Sequence, residues 1–200
     1  MLRPLAITAA MASLALSGCA TPQGPAEVTR FVAPESVSRL GQGAVFLESA
    51  PGTADALELA PYKAAVAAEL VRLGYRETDR AAAGQIAQVG IERYVQTAEG
   101  RRSPVSVGVG GSTGSYGSGV GLGLGINLGG GARDSIGTQL SVTLRDAASG
   151  EPLWEGRADL RAADNSPLAD RTRNAQALAA ALFRGFPGTN GETVEVEVNE

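Results

Sequence analysis

The sequence predicts an α+β fold: a single antiparallel-rich sheet with two helices packed on one face, plus a glycine-rich β-hairpin insert. Three patterns carry the prediction. Apolar residues alternate with polar ones in short runs on both sides of the chain's middle. Two segments, 57–73 and 166–184, instead repeat apolar residues every three or four positions. Between them, "SGVGLGLGINLGGG" (118–131) sets glycine between aliphatics at nearly every second place.

The early strands are 28–33 (VTRFVA) and 44–49 (AVFLES), separated by "PESVSRLGQG". In the first helical segment Leu59, Tyr62, Val66, Leu70 and Leu73 form one stripe. Pro61 conflicts with a helix interior, so the regular helix is expected to start there, with proline in its first turn. Gly74 supplies the stop, and Tyr75 packs as a cap contact. "QIAQVGIERYVQ" (85–96) reads as a strand with Ala87, Val89 and Ile91 turned inward.

"GTQLSVTLRD" and "PLWEGRADLRA" predict a hairpin in which Leu140, Val142 and Leu144 share the buried side with Trp154, Gly156, Ala158 and Leu160. A turn centred on Ser149 sets Leu144 opposite Trp154. Ser166-Pro167 reads as an N-cap with proline at the first helical position, and Ala175, Leu178, Ala179 and Leu182 line the second helix's stripe up to Gly185. "ETVEVEV" closes the order as a strand with Val194, Val196 and Val198 on one side. Two helices and one sheet then give one economical layering, with the helices together on one face.

The glycine-rich stretch is not a phosphate loop. No glycine there precedes a lysine, as a Walker loop requires, and no helical pattern follows before residue 166, as a dinucleotide fingerprint requires. Its period of two reads as a hairpin (104–131). Folded about Gly114-Ser115, it sets Val109 against Val120, Val107 against Leu122, and Val105 against Leu124. Val107, Val109, Val120, Leu122 and Leu124 are therefore the candidate partner-binding residues. Three fates stay open for the hairpin: an extension of the sheet resting on the core or a partner, disorder, or insertion into lipid. The run 119–129 is near the ~9–11 residues a transmembrane strand needs, and one hairpin closes a barrel only within an oligomer.

Composition bounds the chemistry. The 200 residues carry net charge −4, so no nucleic-acid partner is expected. Histidine is absent and Cys19 is the lone cysteine. That removes Ser-His-Asp triads, Cys-His dyads, histidine zinc motifs, CxxC pairs and any disulfide within the chain. No metal or other cofactor and no catalytic residue are expected. A hydrolase would have to use Lys63 or carboxylates such as Glu151, Glu155 and Asp159, none set beside a marked nucleophile.

The opening, with Arg3 and an apolar run from Leu5 to Leu16, is too short to span a bilayer and reads as a signal peptide (1–18). Leu16-Ser17-Gly18-Cys19 resembles the bacterial lipobox. That resemblance implies cleavage between Gly18 and Cys19, then lipid acylation of Cys19. Each buried methylene contributes ~0.8 kcal/mol, so several chains hold durably where one holds marginally. Ala20 in place of aspartate favours outer-membrane sorting with the body on the periplasmic face. "ATPQGPAE" (20–27) completes a tether over 19–27, and the domain is expected to fill 28–198.

A lipobox and tether, a helix ending "LVRLGY", a hairpin with "GEPLWEGRA", and a helix ending "ALFRGFPG" before a terminal strand together resemble the DUF4136 lipoproteins of Gram-negative bacteria. Trp154 with Gly156, and Phe186-Pro187, carry the likeness best. The resemblance implies a small α+β domain similar to the periplasmic domains of lipoproteins that assist envelope machines, and it transfers no catalytic residue. The expected function is a non-catalytic binding or accessory lipoprotein. Its partners would be membrane lipid through Cys19 and an envelope protein, with a homo-oligomer possible. The alternative is an oligomeric assembly that inserts the hairpin in the membrane.

Overall fold

The structure, a computed structural model, describes residues 24–52, 56–96, 105–114, 117–126 and 135–198. In chain order these form β1 (Ala26–Val32), β2 (Gly43–Ser49), α1 (Ala56–Arg72), β3 (Tyr75–Glu77), β4 (Gln85–Gln96), β5 (Val105–Gly114), β6 (Gly117–Ile126), β7 (Ser135–Asp146), β8 (Pro152–Ala163), α2 (Arg171–Phe183) and β9 (Glu192–Val196). Residues 1–18, Cys19 and the tether up to Gln23 lie outside the described residues. β1 begins at Ala26, within the stretch read as tether.

Seven strands make one sheet in the order β3-β2-β4-β7-β8-β1-β9, and β5 pairs with β6 in a separate ladder. The sheet is mixed. β2 runs parallel to both β3 and β4, whereas the other pairings are antiparallel. The physical reason is α1: it carries the chain back along the sheet, so the strands after it run the same way as β2. The antiparallel emphasis expected from the hairpins holds only for the β4-β7-β8-β1-β9 side.

Burial alternates along the strands, as the period of two requires. Ala87, Val89, Ile91, Leu140, Val142, Leu144, Trp154, Ala158 and Leu160 form one buried cluster with Leu59, Tyr62, Val66 and Leu70 of α1 and Ala175, Leu178, Ala179 and Leu182 of α2. Both helix stripes and the β7–β8 hairpin therefore behave as the periodicity predicts, and Leu144 pairs with Trp154.

Local details depart from expectation. Pro61 lies inside α1, which begins five residues earlier. It withholds one N–H from the helical ladder there, and burial of the flanking Leu59 and Tyr62 offsets that loss. Ser166 caps only a single 3₁₀ turn (Pro167–Ala169), through Leu168 N. Asp170 caps α2 itself, accepting from Thr172 N and Arg173 N at 3.1 and 3.0 Å. Tyr75, besides packing in the core, opens a three-residue strand. Gly74 does end α1: its φ is +106°, and a Cβ there would sit 2.7 Å from the Gly41 carbonyl oxygen.

Candidate functional site

The strand pairings place many chain ends at one end of the sheet. Glu27 of β1 stands beside Asp159 of β8, which stands beside Gln139 of β7, which stands beside Glu92 of β4. Following each strand past this row leads to the start of β1, where the tether arrives, and to the end of β4 and start of β7, where residues 97–134 depart and return. β8 and β9 end here too. Ser49, at the close of β2, pairs with Val89 and points the same way. Both helices begin at this end, and their first turns meet where Arg171 faces Glu58 at 3.9 Å. We call it the tether end.

A cavity of about 360 Å³ opens there, lined by Glu58, Arg93, Tyr94, Val95, Ile136 and Arg171. Arg93 Nη2 donates to the Ala169 carbonyl at 3.3 Å and ties β4 to the turn before α2. Deeper between the helices, the Tyr62 hydroxyl donates to Asn174 Oδ1 at 2.9 Å, and Asn174 Nδ2 donates to the Leu168 carbonyl at 3.1 Å. Burial pushes the Tyr62 phenol above its usual range, with the nearby Arg93 charge opposing. These bonds satisfy polar groups within the apolar layer and fix both helix starts.

The sheet face away from the helices is polar. Glu155, Arg157, Asp159 and Arg161 alternate along β8, beside Gln139, Ser141, Thr143 and Arg145 of β7. One cross-strand row reads Glu195, Glu27, Asp159, Gln139, Glu92. Gln139 Nε2 reaches both Asp159 carboxylate oxygens, at 3.1 and 3.3 Å. Among the described residues no group of three or more acidic or cysteine side chains is arranged to hold a metal ion. This face presents hydrogen-bonding and charged groups over several strands, which suits recognition of a polar partner surface.

At the opposite end a clamp joins α2 to the sheet. The buried Arg30 of β1 donates from Nε to the Leu182 carbonyl (3.0 Å) and from Nη2 to the Arg184 (2.7 Å) and Ala181 (3.3 Å) carbonyls. It thereby caps the C-terminal end of the helix. Trp154 stacks on Phe183 with ring centroids 5.5 Å apart, meets Phe186 at 5.1 Å, and donates its indole N–H to the Pro187 carbonyl at 2.8 Å. Gly156 leaves room for that indole, because a Cβ there would collide with the Trp154 ring and stand 2.8 Å from Leu182 Cδ1. Trp154, Gly156, Phe186 and Pro187 are thus packing residues. Arg30 escaped the sequence reading, although an arginine at an inward position between Val28 and Val32 was the available signal.

Of the residues expected to bind a partner, Val107 pairs with Leu124, Val109 with Leu122, and Val120 with Gly111. The expected register is corrected by two positions, because the turn falls between Gly114 and Gly117 instead of at Gly114-Ser115. A two-residue shift preserves the alternation, so three aliphatic pairs still stand opposite each other, Val105–Ile126, Val107–Leu124 and Val109–Leu122. Gly18 and Cys19, the expected cleavage and lipidation residues, lie outside the described residues.

The sequence profile of DUF4136, a domain of unknown function, matches residues 31–188. The chain belongs to the DUF4136 family. No curated protein sequence matches it. Among solved structures, PelC of Paraburkholderia phytofirmans, crystallised as a dodecamer, is 15% identical with a TM-score of 0.42, covering 79% of this chain and 94% of that one. A PDZ domain protein from Parabacteroides distasonis is 14% identical with a TM-score of 0.48, covering 86% of this chain and 39% of that one. Trp154, Gly156, Phe186 and Pro187 fall within the DUF4136 match, and Arg30 lies one residue before it.

Proposed function

We propose that this DUF4136 protein is a lipoprotein anchored by Cys19 to the outer membrane, facing the periplasm, and that it works as a non-catalytic binding module for another envelope component. The observation that carries the binding role is the polar sheet face. Both helices contribute their stripes to the other side, so a surface several strands wide offers Glu, Asp, Arg, Gln and Ser groups to a partner. The lipid would hold this surface at high local concentration near a membrane-bound partner.

The test uses the full chain in its native membranes. A photo-crosslinker at Ser141, on the polar face, is expected to capture one defined envelope protein, whereas the same group at Arg72, on the outer side of α1, captures none. Mass measurement of the N-terminal peptide is expected to show an acylated Cys19, and Cys19→Ser to release the body from the outer-membrane fraction. Lys63→Ala and Glu151→Gln, both off the polar face, should leave complementation of a deletion strain intact if no catalysis is involved. An unmodified thiol on a freely soluble protein, or equal capture from both faces, overturns the reading.

A second reading, a membrane-inserting oligomer, draws on the β5–β6 ladder, whose strands are ten residues each, near the ~9–11 that cross a bilayer. Sizing in detergent decides it: a stable ring supports insertion and a monomer rejects it.

A further inference from the structure

We infer that the tether end of the sheet seats directly against the leaflet that holds the Cys19 lipid, with Leu57, Tyr94 and Val95 as its contact residues. This rests on the lipoprotein reading and adds an orientation and a lipid-facing surface to it.

Chain length sets the first limit. Six residues separate Cys19 from Ala26, and the seven Cα-to-Cα steps between them, fully extended, reach at most about 24 Å. Ala26 is the first residue of β1 and stands at the tether end, paired with Val196. An anchor at residue 19 therefore keeps that end within about 24 Å of the headgroups.

Exposure gives the second argument. The two most exposed large apolar side chains among the described residues are Leu57 and Val95, at 82% and 69%, and Tyr94 is 43% exposed. These three lie at the tether end, Leu57 in the first turn of α1 and the other two near the close of β4, whereas the exposed Val71, Val37 and Phe31 lie toward the other end. Tyr94 lies over Gly137, where a Cβ would collide with its ring. Tyrosine suits the boundary between headgroup and acyl chain, because its ring is apolar and its hydroxyl is wet.

The third argument is register. Gln96 pairs with Ser135, and Val105 with Ile126. Eight residues, 97–104 and 127–134, separate the two ladders on each strand, so both ladders share one register. The aliphatic-rich β5–β6 ladder thus departs from the end that the tether brings to the membrane.

Acidic groups outnumber basic ones around this end: Arg93, Arg161 and Arg171 stand against Glu58, Asp164, Asp170 and the row of Glu195, Glu27, Asp159 and Glu92. The contact is therefore apolar in origin, and salt, which screens repulsion from anionic headgroups, does not weaken it.

Cys19 is the sole cysteine, and residues 19–200 contain every described element, so the mature chain can be anchored chemically. Its thiol is coupled to a maleimide-headgroup lipid in phosphatidylethanolamine–phosphatidylglycerol vesicles containing acyl-brominated lipid. Val95→Trp and Val71→Trp variants are then compared. Val71 is exposed near the far end of α1, and the native Trp154 is buried in the clamp. The emission added at position 95 should be quenched, and no less so with added salt, while that at 71 and that of Trp154 persist. Adding Leu57→Ser should reduce the quenching at 95. Equal quenching at 95 and 71, or none at either, overturns the inference. Because the coupling is chemical, this result is independent of whether cells acylate Cys19, which the mass of the native N-terminal peptide reports separately.

Discussion

Arg30 and Gly156 hold α2 on the sheet by opposite means, one by filling space with donors and the other by leaving space empty. Replacing Arg30 with leucine strips the Leu182 and Arg184 carbonyls of their side-chain donor, while the Ala181 carbonyl keeps the Arg184 N–H. The expected cost is about 2–4 kcal/mol in urea unfolding, since buried acceptors left unpaired keep their desolvation penalty. Arg30→Lys should recover only part of that loss, because an ammonium lacks the planar fork that reaches several carbonyls at once. Gly156→Ala pushes a methyl into the Trp154 ring and Leu182, and is expected to destabilise by roughly 1–3 kcal/mol. It should also perturb Trp154 emission in the folded state, a change that a distant destabilising variant would not produce.

At the scale of elements, the β7–β8 turn carries a titratable brace. Asp146 accepts from the backbone N–H groups of Ser149 (2.9 Å) and Ala148 (3.0 Å), and from the Ser149 hydroxyl, while Arg39 approaches at 3.1 Å. The two backbone donors chiefly hold its carboxyl below the usual carboxylate range. A depressed folded-state value adds stability above the unfolded value, and that stability drains away as pH falls through the folded one. The difference in thermal midpoint between the native chain and Asp146→Ala should therefore be widest near neutral pH and shrink in acid. A gap that stays constant across that range would show that the turn does not depend on the charge. Asp170→Ala should cost about 1 kcal/mol through the lost α2 cap, whereas Ser166→Ala should cost less because it caps only a 3₁₀ turn. That contrast marks what local pattern reveals. Helix stripes, inward strand positions and the Leu144–Trp154 pairing were legible because each follows from a period and a nearby turn. The parallel pairing of β2, the three-residue β3 and the role of Arg30 depend on contacts between segments distant in sequence, which no period encodes. The start of α2 was misplaced because Ser-Pro and Asp are both sound start signals, and a 3₁₀ turn uses up the first.

For the whole molecule, the pairing of Gln96 with Ser135 makes residues 97–134 an excursion from two strand ends that already face one another. Among the described residues, the seven-stranded sheet and both helices form one buried cluster. Replacing these 38 residues with a two-residue Asn-Gly turn should therefore preserve the fold and shorten the loop that folding must close. Loop-closure entropy grows as the logarithm of length, so the shortened chain is expected to gain up to about 2–3 kcal/mol. Urea unfolding compared with the full mature chain measures it. A gain, or no change, means the glycine-rich segment serves something outside the domain, either the leaflet beside the tether end or an envelope partner. A loss of stability would instead show that the segment braces the sheet, and the role assigned to Val107, Val109, Val120, Leu122 and Leu124 would pass from partner binding to packing.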